Sequence, residues 1–274
     1  MRQGQFSKPT FERLCLEEYA QVFKTVCYDA AYYRFPEPEH LESLASQVPS
    51  DFLFALKVTD QITICRFPNL DRFGPRAGTL NPDFLNAELF RSKFLRACER
   101  VRDKIGILIF EFSRLHRSEF NRGRDFVEAL DGFLGKLPPG WPYAVEIRNA
   151  AFLEPPYFAV LRNHGVTHVV NSWERMPTLP EQLALADVTT TPDRAVARLL
   201  LRPGRRYADA VRAFSPYEKL SEACSSARDG AVTLIQEGLA SNRPTRTLIY
   251  VNNRLEGNAP LTIWAILNQA GIVA

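Results

Sequence analysis

The sequence predicts an α/β fold with parallel strands, and three observations carry that reading. Short apolar runs rich in β-branched and aromatic residues alternate with helix-period patterns along almost all of the 274 residues. Alternation over one continuous chain implies parallel pairing with right-handed crossovers. No solenoid repeat and no low-complexity linker interrupts it, so residues 1–274 read as a single α/β domain.

Each element has its own signal. A first helix is expected over Phe11–Val22, with Phe11, Cys15, Tyr19 and Val22 on one face. Strands are expected at Thr25–Asp29, Phe52–Val58, Ile105–Phe112, Tyr143–Arg148, Thr167–Asn171, Ala195–Leu201 and Thr247–Val251. A helix over Ala87–Val101 carries Phe90, Phe94, Cys98 and Val101 on its stripe. Another is read from Ser215-Pro216-Tyr217-Glu218, a capping box with proline at the first helical position. A last helix follows Gly257, with Leu261, Trp264 and Leu267 on its face. Helix-to-strand connections are short, as at Val48–Asp51, Arg102–Lys104 and His164–Val166. Two strand-to-helix connections are long and rich in Pro, Gly and Arg: Thr59 to about Asn86, and Ser172 to about Thr178. Long loops of this kind serve as lids or binding loops. In barrels and open sheets alike, ligands sit at the C-terminal strand ends from which they emerge.

Composition narrows the function classes. With 46% hydrophobic and 24% charged residues, the chain fits a folded globular domain better than a disordered chain or a membrane bundle. Its longest apolar run, Ile105–Phe112, is broken by Gly106 and Glu111, short of the roughly 18 residues a spanning helix needs. MRQGQFSKPT has no apolar stretch behind its charge, so no signal peptide and no membrane partner are expected. A net charge of +3 falls well short of a dedicated nucleic-acid binder. Arginine supplies 27 of the 34 bases, which suits bidentate anion contacts, although codon bias produces the same excess. The five cysteines (Cys15, Cys27, Cys65, Cys98, Cys224) form no C-x-x-C pair and read as buried thiols of a reducing compartment, the cytoplasm.

Motif searches exclude more than they find. There is no Walker A, no dinucleotide fingerprint and no G-x-S-x-G; His164 and His168 lie four apart but straddle a turn at Gly165. No cofactor and no zinc are expected. The informative positions are polar residues at strand ends. Ala144, Glu146 and Arg148 share one strand face, and ions there are costly to bury unless paired or used. Phe54 and Leu56 take the helix-facing side of their strand, which turns Ala55 and Lys57 inward. Asp29, Glu111, Arg198 and Asn252-Asn253 stand at or near the ends of four further strands. Asp29, Glu111 and Glu146 offer oxygen ligands for Mg²⁺ or Mn²⁺, in competition with Lys57, Arg148 and Arg198 for the same carboxylates. Tyr32 and Tyr33 read as core or rim packing.

Several segments together resemble the YecE-like family, also described as domain of unknown function 72. They are Val26-Cys27-Tyr28-Asp29-Ala30-Ala31-Tyr32-Tyr33-Arg34-Phe35-Pro36, Phe54-Ala55-Leu56-Lys57-Val58, Ala144-Val145-Glu146-Ile147-Arg148, Val251-Asn252-Asn253 and Glu256-Gly257-Asn258-Ala259. They keep the family order and span roughly Tyr19 to Leu267. The resemblance implies a TIM-like (β/α) barrel, here lacking the first strand that family members carry ahead of the first helix. Lys57, Glu146, Arg148, Asn252 and Asn253 match the family pattern, and Arg198 can be aligned with its strand-seven arginine. Cys27 and Asp29 stand where the family usually has Glu and Asn, and Glu111-Phe112-Ser113-Arg114 replaces a Gln-Leu-Pro-Pro-like segment. Phe152 takes the place of a family tryptophan.

The resulting expectation is an enzyme, a hydrolase or isomerase for a small anionic, phosphorylated or sugar-like substrate. Glu146 would be general acid or base, with Arg148 and Lys57 completing the catalytic group. Asp29, Tyr33, Glu111, Arg198, Asn252 and Asn253 would line the substrate site. The competing readings are a binding protein for nucleic acid or an acidic ligand, and a scaffold that has lost activity.

Overall fold

The computed structural model describes residues 8–242 and 245–272. Among them the strands are β1 (Thr25–Tyr28), β2 (Leu53–Lys57), β3 (Ile105–Phe112), β4 (Tyr143–Ile147), β5 (Thr167–Ser172), β6 (Arg194–Leu199) and β7 (Arg246–Val251). They follow the chain order in one sheet. β1 pairs with β2, β2 with β3, β4 with β5, β5 with β6 and β6 with β7, all in parallel. Every expected strand is present, its ends moved by no more than two residues. Parallel strands in chain order, joined through helices, are the topology of the (β/α) barrel. The expectation of a missing first strand concerns the segment before the first helix, of which residues 1–7 lie outside the described residues.

The chain divides into two compact units: Met1–Phe110 with Lys136–Tyr143, and Glu111–Gly135 with Ala144–Ala274. In the first, α1 (Lys8–Ala20) precedes β1, and α2 (Pro38–Ser46) lies between β1 and β2. The expected stripe of α1 ran to Val22, but the helix stops earlier and Val22 is exposed. Tyr19 packs against Phe23 and Phe52. Before β3, residues 87–104 are not the single α-helix expected. Short α-turns at Ala87–Leu89 and Arg96–Cys98 flank a π-helix at Phe90–Leu95, and a 3-10 segment, Glu99–Lys104, closes the run. The expected stripe is buried all the same: Phe90, Phe94, Cys98 and Val101 are all buried, and Phe90 meets both Phe94 and Phe110. The long loop after β2 has structure of its own. A helical turn at Asp60–Thr63, a 3-10 segment at Asp71–Arg76 and an antiparallel bridge between Arg66 and Leu80 enclose a small core of Tyr32, Ile64, Phe67 and Phe73.

The second unit carries α3 (Gly123–Leu134), α4 (Pro155–Asn163), α5 (Leu179–Leu183), α6 (Tyr207–Phe214), α7 (Ser225–Ala240) and α8 (Ala259–Gln269). Two helix expectations are corrected here. No helix starts at Ser215. Its N–H closes the last turn of α6 on Val211, Tyr217 takes a left-handed backbone (φ 69°), and the next helix begins at Ser225. In α8 the buried positions are Thr262 and Ile266, one turn apart, while Leu261 and Trp264 are exposed. Thr262 is drawn inward because its hydroxyl donates to the buried Glu256 carboxylate (2.9 Å). Of the cysteines, Cys98 and Cys224 are buried and the other three half-buried, all as free thiols.

Strand register sorts side chains by face. Cα partners across a parallel pair point the same way, so Asn171 and Arg198 share a side, as do Ala197 and Val170 on the other. His168 belongs to the second set and meets the Tyr157 and Phe158 rings of α4.

Candidate functional site

In the second unit, Glu111 near the end of β3, Glu146 on β4, Arg148 just past β4 and Arg198 on β6 converge. Arg148 Nε donates to Glu146 Oε1 (2.8 Å), and its Nη2 lies 3.1 Å from Glu111 Oε2. Arg198 Nη1 donates to Glu111 Oε2 (2.7 Å) and also to Glu146 Oε2. Two guanidiniums and two carboxylates thus interlock, and Glu146 has no exposed surface at all. Glu111, Arg148 and Arg198 keep 7%, 6% and 3%. The Arg148 guanidinium lies over the Trp173 ring, 3.8 Å from its centroid. The i, i+2 spacing of Glu146 and Arg148 put them on one face, as the sequence implied. Glu111 and Arg198 are 87 residues apart and meet only through the fold.

Asn171 and Trp173 escaped the sequence reading. Asn171 carried the signal used for the others, a polar residue at a strand end, on the face of its register partner Arg198. Its Nδ2 donates to the Ile147 carbonyl (3.1 Å), and its Oδ1 is buried with no hydrogen-bond partner among the described residues. Gln182 clamps its backbone from α5, accepting from its N–H and donating to its carbonyl.

Asn252 and Asn253 sit in the turn after β7, and both side-chain oxygens accept backbone N–H groups there. Asn252 Oδ1 takes the Arg254 N–H (3.0 Å) and Asn253 Oδ1 the Ala259 N–H (2.8 Å). Glu256, in the same turn, is wholly buried and takes the Cys224 N–H, both forks of Arg228 and the Thr262 hydroxyl. This carboxylate pins the segment before α7 to α8.

The remaining expected residues form a group within the first unit. Lys57 Nζ lies 3.9 Å from Asp29 Oδ1 and 3.8 Å from the centroid of Tyr32. Tyr33 is 62% exposed, with the Arg72 guanidinium 5.0 Å from its ring centroid. Arg72 in turn donates to Asp60 (2.8 Å), whose carboxyl is raised by burial against the opposing pull of Arg72. So Tyr32 is core, as expected, whereas Tyr33 is largely open to solvent.

Burial also sets the state of His168, which lies beneath the helices. Its imidazole is held down to about 3, because desolvation disfavours the imidazolium, and Nδ1 pairs with the Tyr157 hydroxyl at 3.0 Å. Among the described residues no group of three or more His, Cys, Asp or Glu is placed to hold a metal ion. No helix among them is long and apolar enough to cross a membrane. A cavity of about 550 Å³ opens on the first unit at the start of β3, lined by Arg91, Arg96, Arg102, Pro139 and Trp141.

Residues 2–273 match the family described as "Protein of unknown function DUF72". Among solved structures, the chain is similar to a DUF72 family protein from Enterococcus faecalis V583 at 18% identity, covering 94% of this chain and 89% of that one with a TM-score of 0.66. A DUF72 family protein from Thermotoga maritima MSB8 is similar at 19% identity, covering 94% and 90% with a TM-score of 0.60. These likenesses show the fold. No curated protein matches.

Proposed function

We propose, for a chain that belongs to the DUF72 family of proteins of unknown function, that it acts on a small anionic metabolite at the C-terminal ends of its strands. Hydrolysis or isomerisation of a phosphorylated or sugar-like compound is the chemistry the residues suit. One observation carries the reading: Glu111, Glu146, Arg148 and Arg198 interlock on the buried side of strand ends, where apolar side chains would fold at lower cost. Such ions earn retention through use. Barrel folds place their chemistry at these strand ends. Glu146, without exposed surface, serves as a positioning residue that holds both guanidiniums. Arg148 and Glu111 retain surface and are the groups that meet the substrate: the guanidinium clamps an anionic oxygen, and the Glu111 carboxylate moves a proton.

The test is a thermal-shift screen against phosphorylated compounds, sugar acids and their neutral counterparts, run on wild type and on Arg148→Gln. An anionic compound that stabilises only the wild type supports the reading. Equal stabilisation of both proteins, or a response confined to neutral compounds, removes it. The competing reading is a structural plug, favoured by the interlocking of two guanidiniums with two carboxylates. It predicts no stabilising compound that depends on Arg148.

A further inference from the structure

Beside the cluster, in the same unit, the loops after β6 and β7 hold arginines that the proposed chemistry leaves unused. The β6 loop reads Leu201-Arg202-Pro203-Gly204-Arg205-Arg206-Tyr207, and the β7 loop reads Asn252-Asn253-Arg254. The two strands pair to their ends, Leu199 opposite Val251, and the Asn252 N–H donates to the Leu199 carbonyl at 2.8 Å. The loops therefore start side by side. They also touch: the Arg254 guanidinium lies over the Tyr207 ring, 4.6 Å from its centroid.

The donors of these arginines are only partly matched. Glu222 accepts from Arg205 Nη2 and lies 3.5 Å from Arg202 Nη1. Arg205 Nη1 is buried with no hydrogen-bond partner among the described residues, and so is Arg254 Nε. A buried donor left unmatched on a charged group is costly, so two of them on adjoining loops call for an acceptor. The local charge agrees. Among the described residues, Arg202 and Arg205 pair with Glu222 and Arg206 with Asp209, which Arg212 also engages. α6 begins directly after Arg206, whose side chain makes no cap hydrogen bond, so the helix adds its positive end. An acceptor with several oxygens and two negative charges suits forked donors from two directions. The loops after the last two strands are where barrel folds repeatedly seat phosphate.

We infer that Arg205 and Arg254 form an oxyanion subsite that holds the phosphate group of a phosphorylated substrate. The inference rests on the anionic-substrate reading and makes it specific: the cluster acts on one end of the molecule while these loops grip the other. Glu222 aligns Arg205, and Tyr207 carries Arg254 on its face.

The probe is inorganic phosphate, titrated calorimetrically into the full chain at constant ionic strength. Wild type should bind with a Kd of about 1 mM or tighter. Arg205→Gln and Arg254→Gln should each weaken binding about tenfold or more, the loss expected for a charge-assisted hydrogen bond. Arg124→Gln, at a side chain that is 70% exposed and outside both groups, should bind phosphate as wild type does; loss confined to the two loop variants upholds the subsite whether or not the cluster acts on a substrate. Loss in Arg148→Gln with binding kept in both loop variants overturns the subsite and assigns the anion to the cluster. Absence of phosphate binding in wild type overturns it as well. Should the glutamine variants fail to fold, phenylglyoxal modification of wild type decides the matter by peptide mass analysis. Phosphate should then protect Arg205 and Arg254 but not Arg124, whose side chain is 70% exposed. Unchanged modification of both overturns the inference.

Discussion

Replacing Glu146 by glutamine perturbs the ion cluster with the least change of volume. The amide oxygen can still accept from one arginine, but the amide NH₂ then faces the other guanidinium, donor against donor. Glu111 still meets both guanidiniums, Arg198 at 2.7 Å and Arg148 at 3.1 Å. The cluster then holds one negative charge fewer in a place with almost no solvent. Breaking a buried pair in this way costs about 3–5 kcal/mol. For a chain of 274 residues that corresponds to a fall in melting temperature of about 5–9 °C. Urea melts of both proteins at neutral pH measure it, and an unchanged m-value would confirm that the folded state stays compact. The paired change Glu146→Leu with Arg198→Met should recover most of the loss, since a matched apolar pair replaces a matched ionic one. A Glu146→Gln protein within about 0.5 kcal/mol of wild type would refute the argument, because no buried charge could then have been stranded.

Three further outcomes follow from particular contacts. The folded state holds His168 near 3 while an unfolded chain titrates near 6.5, so the unfolded chain binds more protons between those values and stability falls with falling pH across that window. The loss should reach about 2 kcal/mol by pH 5, and His168→Gln should flatten that part of the stability–pH curve; parallel curves for the two proteins would contradict it. Glu256→Gln should destabilise by about 2–4 kcal/mol in chemical melts, because Arg228 and the Cys224 N–H lose their carboxylate; a neutral result would show that the pin is dispensable. Gly230 lets α7 approach α5 closely, since a Cβ there would lie 2.3 Å from that of Leu179. Gly230→Ala should therefore cost about 1–3 kcal/mol despite its better helix propensity, and a stabilised variant would mean the helices separate freely.

The ion cluster was half legible in advance. Glu146 and Arg148 declared themselves through the period of two along a strand, and Arg198 and Glu111 through charges that interrupt apolar runs. Which carboxylate meets which guanidinium was not readable, because chain spacing carries no information about strands brought together by crossovers. Asn171 gave the same signal and was passed over. Trp173 gave none, since an aromatic residue after a strand reads as packing until a guanidinium is found over its ring.

What the sequence determined alone was the string of strands and their common direction. Buried parallel strands are written as continuous apolar runs, and β3, with all eight residues buried, begins and ends where its pattern does. Tertiary structure decided what local pattern left open. A capping box at Ser215 did not make a helix, because its N–H was already taken by the end of α6. The face of α8 turned from Leu261 and Trp264 to Thr262 and Ile266, because the Glu256 carboxylate drew the threonine hydroxyl inward. Apolar periodicity measures only the transfer of side chains out of water. A buried charge requires its partners at hydrogen-bond distance, and only the folded chain supplies them.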